Sequence, residues 1–226
     1  KRGLDYETLS QDNPGLVFCS ITGFGPSGPF AQSPGYDVIV SGMYGLMSIT
    51  GSEEEPAKTG VASTDILTGT LANSGILSAL YERQHTGCGK KVDVSLMETS
   101  LAGLVNIGSN ALNAPEGSPE PRRWGTAHES IVPYQAFQCK RKSITEQKSY
   151  ILVGAGNDVQ FTKLCEALGI PEVAVDTRFC TNAARVEHRH ILVSQLEDIF
   201  RTKSREEWLN ILQGQGFPLG PMRSVP

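Results

Sequence analysis

The apolar and polar positions in the first half of the chain form patterns that predict strands and helices in alternation. The elements predicted there are a strand at 16–22, a helix at about 37–47, a helix at 64–84, a turn at 86–90 and a strand that leads into a helix over 90–112. Segment 16–22 (LVFCSIT) is rich in β-branched and aromatic residues and is bounded by a proline and a glycine, which indicates a buried strand. Segment 64–84 repeats apolar residues at helical spacing, which predicts the clearest helix of the chain.

Small residues lie along one face of the predicted 64–84 helix. They are Gly69, Ala72, Gly75 and Ala79. Residues three and four positions apart share a helical face. The absence of bulky side chains there predicts that another backbone approaches this face closely.

The second half of the chain has a different pattern and follows a linker rich in Pro, Glu and Gly. Its predicted elements are strands at 131–139 and 150–156 and helices at 158–168, 187–201 and 205–216. Alternating strands and helices in the first half indicate an α/β layer with a partly parallel sheet, whereas the second half indicates an α+β unit. We therefore predict the middle of a large α/β domain at 1–112, a linker at 113–123, a small α+β domain at 124–214, and a tail at 215–226 that begins to return to the large domain.

The composition narrows the class of protein. With 39% hydrophobic and 19% charged residues, the chain is typical of a folded globular protein rather than a disordered or fibrous one. The net charge is −4 and no basic stripe is present, so we expect no nucleic-acid partner. No apolar run approaches the roughly 20 residues that span a bilayer, so we expect no membrane association.

The cysteines, two histidines and the chain ends add three expectations. The five cysteines are scattered and show no C-x-x-C spacing, which is typical of reduced thiols and predicts no metal site. His188 and His190 are two residues apart on a predicted helix, so they face different directions and are not expected to share a metal. The chain lacks an initiator Met and stops shortly after a Gly-Pro pair, so we expect an interior fragment of a longer protein.

A glycine-rich loop follows the first predicted strand. Segment 23–28 (GFGPSG) has the G-x-G-x-x-G spacing of dinucleotide-binding loops. Such a site needs a helix that begins inside the motif, and Pro26 and Pro29 oppose a continuous helix there. We interpret the segment as a loop that shapes the wall of a pocket, with Gly23 and Gly25 as candidate substrate contacts.

Three stretches together resemble the CaiB/BaiF, or class III, family of CoA-transferases, which also includes racemases. The stretches are SITGFGPSGP with PGYDVIVSGMYGLMSITG, then GVASTDILTGTLANSGILSALYERQHTGCGKKVDVSLMET, then WGTAHESIVPYQAF with YILVGAGND. The resemblance implies a Rossmann-like large α/β domain, present here in part, a smaller α+β domain, and an interlocked homodimer. It also implies a coenzyme A thioester as substrate and no tightly bound cofactor.

Asp65 matches the position of the nucleophilic aspartate of this family. From the residues alone, an aspartate at a helix start is also an ordinary cap or first-turn residue. A carboxylate can attack a thioester carbonyl to form a mixed anhydride and release CoA thiolate. At the start of the 64–84 helix, the helix dipole favours the ionised form by up to about 1 kcal/mol. We also expect the unpaired N–H groups of the first turn to hold an oxyanion.

Tyr36 favours acyl transfer over racemisation. Racemases of the family carry a His at the position that matches Tyr36, where it pairs with the aspartate for proton exchange. A tyrosine is a poor base at neutral pH but a usable hydrogen-bond donor. Asp37, the next residue, is expected either to bond locally or to contact CoA.

A second candidate segment follows the linker. Gly125, Thr126 and His128 match a family loop that can cover the acyl pocket, and Thr126 and His128 are candidates to bind the distal carboxylate of a dicarboxylic acid. Residues 138–150 replace what is a short turn in the family and are expected to bulge outward as a surface insertion.

The implied reaction moves CoA from an acyl-CoA, such as succinyl-CoA, to a dicarboxylate such as glutarate through an aspartyl anhydride and an aspartyl-CoA thioester. Two alternatives stay open: an isomerase of the α-methylacyl-CoA racemase type, and a truncated, non-catalytic homologue that serves as a dimer partner. The expected compartment is the mitochondrial matrix in a eukaryote and the cytoplasm in a bacterium.

Overall fold

The structure of the chain, a computed structural model, describes residues 3–141 and 147–225. The centre of the predicted 138–150 insertion, residues 142–146, lies outside the described residues. Two compact units divide the chain, residues 1–125 and residues 126–226.

The first unit is built around two parallel strands. Its elements are α1 (Tyr6–Asp12), β1 (Phe18–Thr22), α2 (Asp37–Met43), a 3-10 turn (Leu46–Ser48), α3 (Ser63–Thr86), β2 (Lys91–Ser95), α4 (Leu96–Gly103) and α5 (Val105–Asn113). Strand β1 pairs with β2 in parallel, from Phe18 opposite Lys91 to Thr22 opposite Ser95. The predicted partly parallel arrangement is therefore confirmed, and α2 and α3 lie in the connection between the two strands. Helix α1 was missed, because it is short and buries no side chain.

Helix α3 buries its small residues rather than its large apolar ones. Ala72 and Ala79 are buried, and Gly75 between them lies against Val92 of β2, where a Cβ on the glycine would come within 2.7 Å of a Val92 methyl. The small-residue face therefore packs within the unit, and the group that approaches Gly75 closely is the Val92 side chain of β2 rather than another backbone. Gly69 is exposed and lies outside this contact. The large apolar residues that produce the helical periodicity stay exposed, among them Ile66, Leu67, Leu71 and Leu77.

The second unit packs helices on a small antiparallel sheet. Its elements are β3 (Tyr134–Gln138), β4 (Tyr150–Gly154), α6 (Asp158–Leu168), α7 (Pro171–Val175), α8 (Asn182–Glu187), α9 (Arg189–Phe200), α10 (Arg205–Leu212) and β5 (Leu219–Pro221). The strand order is β3-β4-β5. Ile151 and Val153 of β4 are buried while Leu152 between them is exposed, which is the alternation expected of a strand with one face on a core. The ring of Phe137 stacks on Phe200 at 4.6 Å.

The last helices of this unit differ from the prediction in two respects. The helix predicted at 187–201 is found as α9 (Arg189–Phe200), but the separate helix α8 (Asn182–Glu187) that precedes it was missed. The helix predicted at 205–216 ends at Leu212, after a start fixed by a capping box in which Ser204 and Glu207 bond each other's main chain. Within the tail from residue 215, Leu219–Pro221 form β5 against β4, and the predicted return of the tail to the large domain stays a prediction.

No helix in the described parts of the chain is both long and apolar enough to cross a membrane.

The cysteines differ sharply in accessibility, which gives a test of the core. Cys88 and Cys180 are exposed, whereas Cys139 and Cys165 are buried. Burial raises the pKa of the Cys139 thiol to about 11 and that of Cys165 to about 12, so both stay protonated at neutral pH. We expect a thiol reagent at pH 7.5 to label Cys88 and Cys180 in the folded protein and the two buried thiols only after unfolding. Peptide mapping checks this, and rapid labelling of Cys165 without denaturant contradicts the packing.

Candidate active site

The glycine-rich loop between β1 and α2 is built around a buried phenylalanine. Phe24 is only 5% exposed and packs with Val40 and Leu96 in the small core of the first unit. Its neighbour Gly25 has a φ of +90°, a conformation that glycine adopts without strain, and donates its N–H to the Oγ1 of Thr22. No helix begins inside the GFGPSG motif, so the dinucleotide interpretation is excluded by the fold. The motif drew attention to its glycines, but Phe24 is the residue that anchors the loop.

Two glycines close the base of this loop. An added Cβ on Gly23 would lie 2.7 Å from the Cα of Gly35, and the reverse holds for Gly35. Gly23 also accepts a hydrogen bond through its carbonyl from the N–H of Met97. Gly23 and Gly25 therefore have main-chain roles in shaping the loop, and their contact with a substrate stays a prediction.

We expect Gly23→Ala to lower the free energy of unfolding by about 1–3 kcal/mol, because the new methyl group forces two backbones apart in a packed region. The matched control is Gly60→Ala, since nothing lies within 4 Å of a Cβ built there and its backbone is not left-handed. Gly60→Ala is expected to leave stability unchanged or slightly raised. Urea unfolding of both variants checks the contrast, and equal stabilities contradict the close approach of Gly23 to Gly35.

Helix α2 begins at the residues that the sequence singled out. Tyr36 occupies the N-cap position with an extended backbone, and its side chain makes no capping bond. The Tyr36 side chain is 72% exposed. Asp37 is the first helical residue, and Val40 one turn later is completely buried. The short helix is therefore fixed to the core by Val40 while Tyr36 projects from its start.

The carboxylate of Asp37 bonds to the start of helix α3. Its Oδ2 accepts hydrogen bonds from the N–H of Thr64, at 2.8 Å, and from the N–H of Asp65, at 3.3 Å. Asp37 was predicted either to bond locally or to contact CoA. The contact found is not local, because it joins two helices across 27 and 28 residues of sequence, and a contact of Asp37 with CoA stays a prediction.

A second contact joins the same two helices beside the first. The hydroxyls of Ser41 and Thr64 lie 3.1 Å apart and are buried. Thr68 donates its own hydroxyl to the Thr64 carbonyl at 2.6 Å, so the buried polar groups of this contact are paired. The start of α3 is thus held to α2 by a carboxylate on one side and a hydroxyl pair on the other.

Asp65 stands exposed in the first turn of α3. Within residues 3–141 and 147–225, its carboxylate oxygens accept no hydrogen bond from the protein. The Asp65 carboxylate is therefore accessible to a substrate, and its role as a nucleophile stays a prediction.

The predicted oxyanion site at this helix start is wrong. Besides the two N–H groups that Asp37 engages, the N–H of Ser63 donates to the carbonyl of Val61 and that of Ile66 donates to Ala62. The first turn therefore keeps no main-chain donor for an oxyanion. Helix starts usually carry unpaired N–H groups, but here a carboxylate from another helix accepts hydrogen bonds from two of them.

Gly125, at the end of the first unit, has a φ of +60° and donates its N–H to the carbonyl of Gly51. The first unit thus contains Gly23, Tyr36, Asp37, Asp65 and Gly125. The two side chains predicted to bind a distal carboxylate, Thr126 and His128, belong to the second unit.

His128 has a defined hydrogen-bonding state. Its Nδ1 accepts from the N–H of Ser130 at 3.0 Å, so in the neutral ring the proton lies on Nε2. The ring meets Tyr134 edge-on at 5.5 Å. Thr126 accepts a bond from the N–H of Ala136 through its Oγ1. His128 consequently offers an exposed Nε2–H donor.

The main chain around His128 is held by side chains from α8 and α9. Arg189 donates to the carbonyls of His128 and Glu129. Asn182 donates to the carbonyl of Ser130 and accepts from the N–H of Val132. These bonds favour a fixed wall rather than a moving cover for this stretch.

No group of three or more His, Cys, Asp or Glu side chains in the described residues is placed to hold a metal ion.

Comparison with known proteins places this geometry in context. A family model described as CoA-transferase family III matches residues 1–226. The chain is 42% identical over 224 residues to succinyl-CoA:glutarate CoA-transferase of Mus musculus. The matched segment covers 99% of this chain and 49% of the mouse protein. It is 40% identical over 227 residues to succinate–glutarate CoA-transferase of Agrobacterium fabrum, covering 100% of this chain and 54% of the relative.

A solved structure gives the same picture. A CAIB/BAIF family protein from Brucella suis superposes with a TM-score of 0.81 at 42% identity, covering 98% of this chain and 56% of that one. The chain therefore spans about half the length of the relatives it matches.

Proposed function

The chain belongs to CoA-transferase family III, and on that premise we propose that the protein transfers coenzyme A from an acyl-CoA to a carboxylic acid with Asp65 as nucleophile. The observation that carries the proposal is the exposed carboxylate of Asp65 on a helix start that α2 holds in place. The names of the mouse and Agrobacterium relatives support succinyl-CoA as donor and glutarate as acceptor.

The proposed reaction is a relay of acyl and CoA groups on Asp65. Its carboxylate attacks the thioester carbonyl and the C–S bond breaks. CoA leaves as a thiolate, and an aspartyl–acyl anhydride forms on Asp65. The thiolate attacks the aspartyl carbonyl of that anhydride, which frees the first acid and leaves an aspartyl-CoA thioester. The acceptor carboxylate attacks that thioester, the C–S bond breaks, and a second aspartyl–acyl anhydride forms with release of CoA thiolate. The thiolate then attacks the acceptor's acyl carbonyl, which forms the new CoA ester and releases the Asp65 carboxylate.

Each step passes through a tetrahedral oxyanion that needs hydrogen-bond donors. The main-chain N–H groups of the first turn of α3 are already engaged, so the donors must come from other groups. The exposed hydroxyl of Tyr36, next to the residue that holds the Asp65 main chain, is the donor that we assign to this role.

The choice between transfer and racemisation rests on Tyr36. Proton exchange at an α-carbon requires two bases that titrate near neutrality, and a tyrosine at this position is a poor second base. Tyr36 therefore supports acyl transfer. The racemase and the non-catalytic homologue are the outcomes that the experiment below distinguishes.

Recognition of a dicarboxylic acid is assigned to Thr126 and His128. Because the His128 Nδ1 accepts a hydrogen bond from Ser130, the Nε2 of the ring carries an N–H, and this donor on an exposed residue suits a carboxylate. Because the main chain around His128 is held by Arg189 and Asn182, the donor is pre-oriented rather than recruited by loop closure.

The interlocked homodimer, the Rossmann-like large domain and the compartment, matrix or cytoplasm, belong to the same proposal and rest on the resemblance. The coenzyme A thioester enters as a substrate, and no tightly bound cofactor is required by the relay.

The test uses the protein at its full natural length with succinyl-CoA and a series of acids. The acceptors are dicarboxylic acids of increasing chain length and the matching monocarboxylic acids, with the new CoA esters measured by liquid chromatography. We expect transfer to dicarboxylic acids, glutarate included. Exchange of an α-proton into heavy water without any acceptor acid supports the racemase instead, and failure to bind CoA esters supports the non-catalytic homologue.

A further inference from the structure

We propose that Asp37 is a positioning residue, whose carboxylate fixes the main chain from which the Asp65 nucleophile projects. The inference rests on the proposed function, since positioning matters only if Asp65 reacts. Asp37 itself touches no reacting atom in this assignment, and its role acts through Thr64 and Asp65.

The local sequence cannot cap helix α3 by itself. The N-cap position is occupied by Ala62, whose side chain offers no hydrogen-bond acceptor. Helix starts usually carry Ser, Thr, Asp or Asn at this position to satisfy the first N–H groups. Asp37 supplies the missing acceptor from a different helix, with one oxygen shared between the N–H groups of Thr64 and Asp65.

The element that carries Asp37 is itself anchored. Val40, one turn after Asp37, is completely buried against Phe24 and Leu96. On the same short helix, Ser41 reaches the buried hydroxyl of Thr64. Helix α2 therefore holds the Asp37 carboxylate in place, and the hydrogen bond from the Asp65 N–H to this carboxylate restricts the backbone of Asp65.

This geometry predicts a particular kinetic signature. A displacement of about 1 Å in a reacting group can lower the rate about 100-fold, while binding of the rest of the substrate is unaffected. A residue that positions the nucleophile is therefore expected to control kcat. A residue that contacts CoA, the other role considered for Asp37, is expected to control KM for the acyl-CoA.

The experiment compares Asp37→Ala with Asp37→Asn in the full-length protein. Alanine removes the acceptor, so we expect kcat to fall about 100-fold, with KM for succinyl-CoA changing less than about threefold. Asparagine keeps a side-chain oxygen that can accept both N–H groups, and Asn and Asp cap helices about equally well. Asp37→Asn is therefore expected to retain kcat within about fivefold of the wild type.

A matched control is Asp5→Ala. Asp5 caps helix α1 through the same kind of contact, an Oδ1 that accepts from the N–H of Thr8 at 3.0 Å. Loss of that cap is expected to leave kcat and KM within about twofold of the wild type. The comparison separates the loss of any helix cap from the loss of this one.

Amide hydrogen exchange gives a readout that does not depend on activity. In the wild type and in Asp37→Asn the N–H groups of Thr64 and Asp65 are expected to exchange slowly, and in Asp37→Ala at least about tenfold faster. If the wild-type protein transfers no CoA, the proposed function fails, yet this measurement still decides the contact. A threefold or larger rise in KM with kcat unchanged, equal activity of the alanine and asparagine variants, or unchanged exchange in Asp37→Ala each overturns the proposal.

Discussion

Asp65→Asn is expected to lower kcat for CoA transfer at least about 1,000-fold, because the amide cannot form the anhydride and the covalent route is lost. The asparagine has nearly the same shape, and the hydrogen bond between Asp65 and Asp37 uses the Asp65 main chain. The fold should therefore be unaffected. Initial rates with succinyl-CoA and glutarate, at saturating concentrations of both, measure the effect.

The control for this substitution is Asp93→Asn on strand β2. Asp93 is an exposed carboxylate of the same unit and pairs with Lys91 at 3.2 Å on the surface. Exposed ion pairs of this kind contribute up to about 1 kcal/mol, so stability and rate are expected to stay close to the wild type. A kcat for Asp65→Asn within tenfold of the control removes Asp65 from the mechanism.

Arg185→Met is expected to produce the largest loss of stability in the second unit, about 3–5 kcal/mol. The guanidinium is completely buried and donates to the carbonyls of Val132 and Phe179 and to the carboxylate of Asp158. Methionine fills much of the volume but leaves two carbonyls without a donor, each at a cost of about 1–3 kcal/mol. Arg185 bonds the carbonyl of Val132, at the end of segment 128–132, which begins with His128. We therefore expect the substitution also to increase the mobility of that segment.

Urea unfolding followed by the fluorescence of Trp208 measures this effect, with Trp124→Phe in the background to remove the signal of the other tryptophan in these 226 residues. Trp208 is buried in the same unit and donates its Nε1–H to the Phe200 carbonyl. The control is Arg201→Met, which removes an exposed arginine paired with Glu197 one turn away. That loss is expected to be below about 0.5 kcal/mol. A change below about 1 kcal/mol for Arg185→Met contradicts the role assigned to its buried bonds.

The elements predicted most accurately are the helices with a long run of periodic apolar residues and clear end signals. The helix predicted at 64–84 is Ser63–Thr86, ended by Gly87 with a φ of +73°, and the helix predicted at 158–168 is found with the same bounds. Here local signals and tertiary structure agree. Short elements that depend on contacts were missed, as with β5, which forms because Leu219–Pro221 pair with β4.

The buried face of α3 could not be read from hydrophobicity. The apolar periodicity of Ile66, Leu67 and Leu71 correctly predicted a helix but indicated the wrong face as buried. The buried residues are instead Thr64, Thr68, Ala72 and Ala79, with Gly75 against the Val92 side chain. This face is made of small and hydroxyl-bearing residues, and a pattern of large apolar residues does not indicate it.

The candidate site was predictable in part. Asp65 and Tyr36 followed from the family resemblance together with their places at helix starts. The capping role of Asp37 did not follow, because its partners are 27 and 28 residues away and no local spacing rule connects them. For the same reason the first-turn N–H groups were expected to be free. At this site the helices could be predicted from the sequence, whereas the hydrogen bonds between them could not.

The most direct test of the central claim is chemical trapping of the acyl intermediate on Asp65. The full-length protein is incubated with succinyl-CoA, quenched with hydroxylamine, digested and mapped by mass spectrometry. We predict a hydroxamate on Asp65 that requires succinyl-CoA and disappears in Asp65→Asn. A hydroxamate on a different carboxylate, or CoA transfer at the normal rate with no modification of Asp65, would contradict the account.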